Sequence, residues 1–253
     1  MSLSNIFLIL GAGVVAGFIN TLAGGGSLLT MPALIFLGLP SAMANGTNRI
    51  ALLVQNIVAV GNFKRKGFFD WKLGIMLAIP AVVGSLIGAK LAINLPDELF
   101  NRILAVVMIV VLILILWQPQ QRYFKNISKE LTPNRKILAI ISFFLVGIYG
   151  GFIQGGVGFI IILFLSLLTG MSLVRINSIK VMVIVIYTIS SLLVFILNGK
   201  VNWILGLVLA IGNGIGAWLG SSFAVAKGDK WIKVILAIVM IIMSARLLGI
   251  FNF

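Results

Sequence analysis

Apolar runs of roughly 20 residues cover nearly the whole chain, and short clusters of glycine, proline and charge separate them. About 20 consecutive apolar residues cross a hydrocarbon core as a helix. Met1 to Asn48 carries no charge. As one helix it would extend about 72 Å at 1.5 Å per residue, over twice the core thickness, so it must break. Breakers stand at Gly24, Gly25 and Gly26, and again at Gly38 and Pro40. The pattern predicts helices over 5–22, 27–38 and 45–63, the last stopped by Lys64, Arg65 and Lys66. Further spans follow over 72–93 and 98–117. A polar stretch from Gln118 to Lys136 reads as a linker. The second half begins with another uncharged run, Ile137 to Val174, with glycines at 150, 151, 155, 156 and 158. It predicts helices over 137–154, 159–169, 177–197, 203–226 and 231–249. The first helix lacks the basic n-region and A-x-A site of a cleaved signal.

The halves repeat. At an offset of 132, residues 67–109 and 199–241 align without gaps and share 17 of 43 residues. Gly67/Gly199, Trp71/Trp203, Gly84/Gly216, Gly88/Gly220 and Asp97/Asp229 are among them. Composition alone would match roughly a tenth of positions. Asn45 pairs with Asn177 at the same offset, and Gly17–Asn20 pairs with Gly151–Gln154 at 134.

Charge orients the repeats. Lys64, Arg65, Lys66 and Lys72 flank the turn near 67, whereas the turn near 199 has only Lys200. Lys227, Lys230 and Lys233 flank the turn near 229, whereas its counterpart near 96 carries Asp97 and Glu98. Basic residues favour the cytoplasmic side, so equivalent turns lie on opposite faces. The expected fold is an all-α polytopic membrane protein of two inverted-topology repeats. Each repeat is a glycine-broken helix pair plus three transmembrane helices. Residues 1–117 form the first repeat, 118–136 a cytoplasmic linker and 137–253 the second repeat, in one integral membrane domain. Both termini are expected outside the cytoplasm. Trp71, Trp117, Trp203 and Trp231 fall near span ends, as an interfacial belt requires.

Composition agrees and excludes more. Of 253 residues 61% are hydrophobic and 9% charged, against about 25% charged in soluble domains, and the mean hydropathy is +1.21. The net charge of +14 is explained by cytoplasmic loops and does not call for nucleic acid. With no Cys and no His, the chain has no disulfide, no Cys or His metal ligand and no Ser-His or Cys-His pair. The five acids, Asp70, Asp97, Glu98, Glu130 and Asp229, lie at the ends of apolar runs. No cofactor and no catalytic residue is expected. A Ser–Lys pair using Ser27 or Ser178 is the catalytic alternative that composition leaves.

Two kinds of chemistry stand out. Glycine breaks at Gly24–Ser27 and at Gly155, Gly156 and Gly158 free backbone N–H groups at helix N-termini, where an anion is favoured. Close helix packing is the other reading. Asn45-Gly46-Thr47-Asn48-Arg49 is expected to open the third helix with polar groups and N–H donors that wrap an oxyanion. Arg49 there pairs with substrate or snorkels to headgroups. Its counterpart runs Arg175-Ile-Asn177-Ser-Ile-Lys180. Asn20, Gln55, Asn56, Gln154 and Asn213 are uncharged polar residues inside apolar spans, either interhelical glue or ligand contacts. Gly84/Gly88 and Gly212/Gly216/Gly220 read as packing faces.

The stretches GVVAGFINTLAGGGSLLTMPAL, GLPSAMANGTNRIA and GGFIQGGVGF resemble the sulfite exporter TauE/SafE family of bacterial membrane proteins, and the likeness runs through the whole chain. The resemblance implies a transporter, by its name an exporter, of small sulfur oxyanions or organosulfonates. By analogy it carries substrate contacts onto Gly24, Gly25, Gly26 and Ser27, onto Gly46, Thr47, Asn48 and Arg49, and onto Gly155, Gly156, Gly158 and Asn177. Asn20, Gln154 and Lys180 complete the expected site, near the midplane between the broken helices. The implied partners are a small anion and the bilayer; a homodimer is compatible with this. The rival reading is a non-transporting accessory or lipid-handling membrane protein.

Overall fold

Glycine and proline end the helices in the computed structural model, which describes residues 3–22, 24–117 and 132–247; side chains are described outside 3–6, 108, 111–112, 114–117 and 227–247. In chain order the helices are α1 (Leu3–Leu22), α2 (Ser27–Phe36), α3 (Ser41–Arg65), α4 (Trp71–Ile93), α5 (Asp97–Trp117), α6 (Pro133–Phe152), α7 (Val157–Thr169), α8 (Leu173–Leu197) and α9 (Trp203–Leu247). Asp70 caps α4 by accepting from Leu73 N at 3.1 Å, and Pro133 occupies the first turn of α6, where its missing N–H costs nothing. The described residues form no strand.

Among the described residues four helices are long and apolar enough to cross a bilayer: Trp71–Ile93, Pro133–Phe152, Leu173–Leu197 and Trp203–Ala226. The α2 and α7 helices have 10 and 13 residues. At about 15 and 20 Å they are too short to span a core of about 30 Å. Outward-facing residues such as Ile79, Leu193 and Ile211 are large, apolar and more than half exposed, as lipid contact requires.

The halves exchange helices. The broken helix of the first half, α1, packs along α9 of the second, and α6 of the second packs along α4 of the first. Both seams are glycine-lined, so backbones touch. A Cβ added at Gly84 would lie 2.1 Å from Phe144 O, and one at Gly216 2.1 Å from Val14 O. The expected packing role of these glycine faces therefore holds.

Four expectations need correction. Helix α8 begins at Leu173, not 177, because Ser172 caps it by accepting from Arg175 N. Helix α3 begins at Ser41, not 45; Ala44 N already bonds Pro40 O at 2.8 Å. Ser-Ala-Met-Ala is compatible with helix, so the chain turns helical as soon as proline is passed. The final residues assigned to the linker, Pro133 to Lys136, belong to α6; residues 118–131 lie outside the described residues. Where two spans are expected over 203–226 and 231–249, α9 runs unbroken through Trp203–Leu247. Lys227-Gly-Asp-Lys230 has no proline, and one glycine costs a helix only about 1 kcal/mol against alanine. Nothing in that stretch enforces a turn. The return span that would place the C-terminus in the periplasm is absent from this helix.

Candidate functional site

Asn45 and Arg49 lie one turn apart on α3, and both are fully buried. Arg49 Nη2 donates to Gly151 O at 2.5 Å and to Asn45 Oδ1 at 3.2 Å, and Nη1 donates to Ser191 Oγ at 2.7 Å. Asn45 Nδ2 donates to Phe152 O at 2.6 Å. Gly151 and Phe152 end α6, where carbonyls lack intrahelical partners and carry partial negative charge. The guanidinium thus caps the C-terminus of a helix from the opposite half. Its carbon also stands 4.7 Å from the Phe195 ring centre. This location excludes snorkelling to headgroups. Because α3 begins upstream, the N–H groups of Asn45 to Asn48 lie inside the helix and do not wrap an oxyanion as expected.

The second half repeats the device. Asn177 Nδ2 donates to Leu22 O at 3.1 Å. Lys180 Nζ, fully buried, donates to Asn20 O at 3.1 Å and Thr21 O at 2.9 Å. These carbonyls end α1. Asn45 and Asn177 are equivalent residues; the basic residue moves by one position, since Arg49 aligns with Val181. Lys180 bonds neither candidate serine. Ser178 Oγ donates to Arg175 O and Ser27 Oγ to Gln154 O.

Immediately after each capped end, the chain breaks and the two breaks meet. Gly24 has φ +92°, and a Cβ there would lie 2.4 Å from Gly158 Cα. The offset of 134 that aligns Gly17 with Gly151 also aligns Gly24 with Gly158. Ser27 Oγ reaches Gln154 O at 3.2 Å, and the Tyr149 hydroxyl donates to Gly155 O. The N–H groups of Gly155, Gly156 and Gly158 make no backbone hydrogen bond to a described residue outside their helix. Neither Arg49 nor Lys180 has a carboxylate within ion-pair distance among the described residues.

A family model described as Sulfite exporter TauE/SafE matches residues 9–247. This chain belongs to the TauE/SafE family. It is 33% identical over 241 residues to the probable membrane transporter protein YfcA of Escherichia coli strain K12, covering 93% of this chain and 86% of that protein. It is 30% identical over 238 residues to the probable membrane transporter protein ORF9 of Sinorhizobium sp, covering 94% and 90%. A probable membrane transporter protein of Haemophilus influenzae is 28% identical over 244 residues, covering 95% and 94%. No solved structure matches. The chain is a helical membrane protein of a family of probable membrane transporters.

Not every expected site residue of this TauE/SafE chain falls at the meeting of the breaks. Asn20, Gly24, Gly158, Ser27, Gln154, Gly155 and Gly156 do, flanked by Arg49 on one side and Asn177 with Lys180 on the other. Asn48 Oδ1 accepts from Thr30 Oγ1 at 2.7 Å, leaving Asn48 Nδ2 without a partner, like Arg49 Nε. Gly25 faces the Phe159 ring, and Gly26 packs on Ala16 O of α1. Gly46 and Thr47 point elsewhere. Gly46 packs against Lys200 O, and Thr47 Oγ1 accepts from Asn202 N at 2.8 Å. Gln55 and Asn213 are glue, since Asn213 Nδ2 donates to Gln55 Oε1 at 3.1 Å. Asn56 bonds its own helix at Leu52 O. Sequence reasoning missed Thr30, Phe195 and Ser191, which has no polar counterpart in the repeat. It placed Asn45 in the polar opening of the third helix and matched it to Asn177, but did not count it among the substrate contacts.

Proposed function

We propose that this TauE/SafE chain is a secondary transporter that exports small sulfur-containing oxyanions or organosulfonates across the bacterial inner membrane. The anion binds where the two glycine breaks meet, between Arg49 and Lys180, and the protein is a carrier, not an enzyme. The observation that carries this reading is a pair of fully buried basic side chains, at one convergence of broken helices, with only neutral partners. A guanidinium stays charged in proteins, and burying an uncompensated charge is costly. Helix-end carbonyls offset part of that cost. An anion supplies the rest, with N–H groups of the second break completing its shell.

In this reading the two halves, residues 1–117 and 133–253, are inverted repeats that correspond as far as Ala226, and residues 118–132 face the cytoplasm. The charge switch between equivalent turns supports it, as does the exchange of broken helices. So does the grouping of turns. Arg175 and Lys180 follow the turn at Gly170, whereas the turn after Gly38 has no charge until Arg49. This bias puts the first in the cytoplasm and the second in the periplasm. Ser41 N, after that second turn, bonds Asp97 Oδ1 at 2.8 Å in the acidic turn of the same face. Gly67 and Met171, assigned to the cytoplasm, line one cavity.

The test is thermal unfolding of the purified protein with sulfite, thiosulfate, sulfate, methanesulfonate or acetate. A ligand at 100 times its dissociation constant adds about 2.7 kcal/mol. At least one sulfur oxyanion or sulfonate is expected to raise the midpoint well beyond acetate at equal ionic strength. Equal, salt-like responses to all five would contradict the reading.

A further inference from the structure

Two equivalent turns of the repeat have the same internal architecture but dock differently. After α3, Gly67 N bonds Lys64 O at 3.1 Å and Phe68 N bonds Phe63 O at 3.1 Å. After α8, Gly199 N bonds Ile196 O at 3.0 Å and Lys200 N bonds Phe195 O at 2.9 Å. Both turns pass through a left-handed glycine, φ +76° and +65°. Asp70 and Asn202 cap the following helices alike, accepting from Leu73 N and Leu205 N.

The 199–202 turn is sealed onto α3. Lys200 O sits where a Cβ on Gly46 would be, 2.0 Å away, and Asn202 N donates to Thr47 Oγ1 at 2.8 Å. At the equivalent place on α8 the chain has Ser178 for Gly46 and Ile179 for Thr47. Serine carries the Cβ that blocks the carbonyl's approach, and isoleucine has no acceptor for the N–H. The 67–70 turn does not close there. It leaves a cavity of about 210 Å³ whose lining includes Asp70, Lys72, Met171, Arg175, Ser178 and Ile179. At about 30 Å³ per water, this holds a small oxyanion with part of its hydration. Lys72 and Arg175 outnumber Asp70, so the lining is net positive. Its floor, Ser178, lies on the helix that carries Asn177 and Lys180.

We infer that this cavity is a standing cytoplasmic vestibule for small oxyanions, open because Ser178 and Ile179 cannot form the seal that Gly46 and Thr47 form on the opposite face. The inference rests on the transporter reading above. Arg175 and Lys72 concentrate anions in the vestibule and hand them toward Lys180. The opposite face is closed while the vestibule is open, as a carrier with alternating access requires.

The chain has no native cysteine, so Met171→Cys gives a single reporter inside the cavity. Its modification by sulfonatoethyl and trimethylammonioethyl methanethiosulfonate is followed in inside-out and right-side-out vesicles. Reaction is expected from the cytoplasmic face only, with the anionic reagent faster. Adding Arg175→Gln should lower the anionic-to-cationic rate ratio at least about threefold, a change that general loosening would not produce. Adding Ser178→Gly with Ile179→Thr should lower both rates at least about tenfold by letting the 67–70 turn dock. Reaction from the periplasmic face, a ratio unmoved by Arg175→Gln, or rates unmoved by the sealing pair would overturn the inference. Vestibule effects as expected in a protein that moves no anion in liposomes would instead defeat the carrier reading. Anion flux without these effects would defeat the vestibule alone.

Discussion

Replacing Arg49 by Gln is expected to weaken sulfur-anion binding between about tenfold and a hundredfold. A hydrogen bond to a charged group contributes about 1.5–3 kcal/mol, and 1.4 kcal/mol is a factor of ten. The substitution also leaves Gly151 O and Ser191 Oγ with a weaker donor, so stability without ligand should fall by about 1–3 kcal/mol. The binding effect is therefore read as the ligand-induced rise over each variant's own ligand-free midpoint. Arg49→Lys should be intermediate, since it keeps a cation but loses the planar fork that reaches Gly151, Asn45 and Ser191 together. Arg102→Ala should change neither quantity, because Arg102 is exposed and paired with Glu98 at 2.6 Å on one helix face. An unaltered ligand response in folded Arg49→Gln would reduce Arg49 to a helix cap.

Gly24→Ala is expected to be the most damaging small substitution in the chain. Its backbone has φ +92°, and its Cβ would strike Gly158 Cα at 2.4 Å. The left-handed conformation costs about 1–2 kcal/mol for a residue with Cβ, and overpacking against backbone about 1–3 more. Together they predict a loss of about 2–5 kcal/mol. Two controls separate the causes. Gly38 has φ +90° with open space around it, so Gly38→Ala should lose only the conformational part. Gly11 lies in α1 with nothing within 4 Å, so Gly11→Ala should be neutral or stabilising by up to about 1 kcal/mol. Melting of the three variants in detergent should rank Gly24→Ala lowest and Gly11→Ala highest. Gly24→Ala melting at or above Gly38→Ala would show that the breaks do not rely on their contact.

The helix ends were legible wherever glycine or proline makes them. Gly67, Gly170 and Gly199 follow the ends of α3, α7 and α8 with positive φ, whereas the start of α8 at Leu173, capped by Ser172, was placed four residues late. The start of α3 was misread because the polar stretch from Asn45 was taken as the opening of the helix, although Ser41-Ala-Met-Ala44 holds no breaker and proline marks where a helix is allowed without marking where it must wait. Continuity through Lys227 to Lys230 was misread for the opposite reason, since charge suggests a turn but does not break hydrogen bonds.

The site was legible in its residues and not in their partners. Asn45, Arg49, Asn177 and Lys180 stand out as polar groups in apolar spans. Their acceptors are backbone carbonyls 102 to 160 residues away, which have no sequence signature. Only the exchange of helices between halves brings them together. Gly46 and Thr47 show the converse. Their neighbourhood to Arg49 in sequence suggested a ligand contact, yet their side of α3 meets Lys200 and Asn202. The difference between Gly46-Thr47 and Ser178-Ile179 acquires meaning only once the two turns are seen docked and undocked.

On the proposed transporter reading, the expected driving force is the membrane potential. Proton-driven carriers use Asp, Glu or His inside the membrane. This chain has no His; Asp70, Asp97 and Glu98 stand at helix ends, Asp229 lies within α9 just beyond the apolar span Trp203–Ala226, and Glu130 lies outside the described residues. The membrane potential supplies about 2.3 kcal/mol per charge per 100 mV, enough to hold a tenfold or greater outward anion gradient. The decisive measurement is flux of radiolabelled sulfur anion in proteoliposomes, at equal pH on both sides, with the potential set by potassium and valinomycin. The account predicts movement accelerated toward the positive side in wild-type protein and reduced at least about tenfold in Arg49→Gln. Flux that ignores the potential, follows an imposed pH gradient at zero voltage, and survives Arg49→Gln would contradict it.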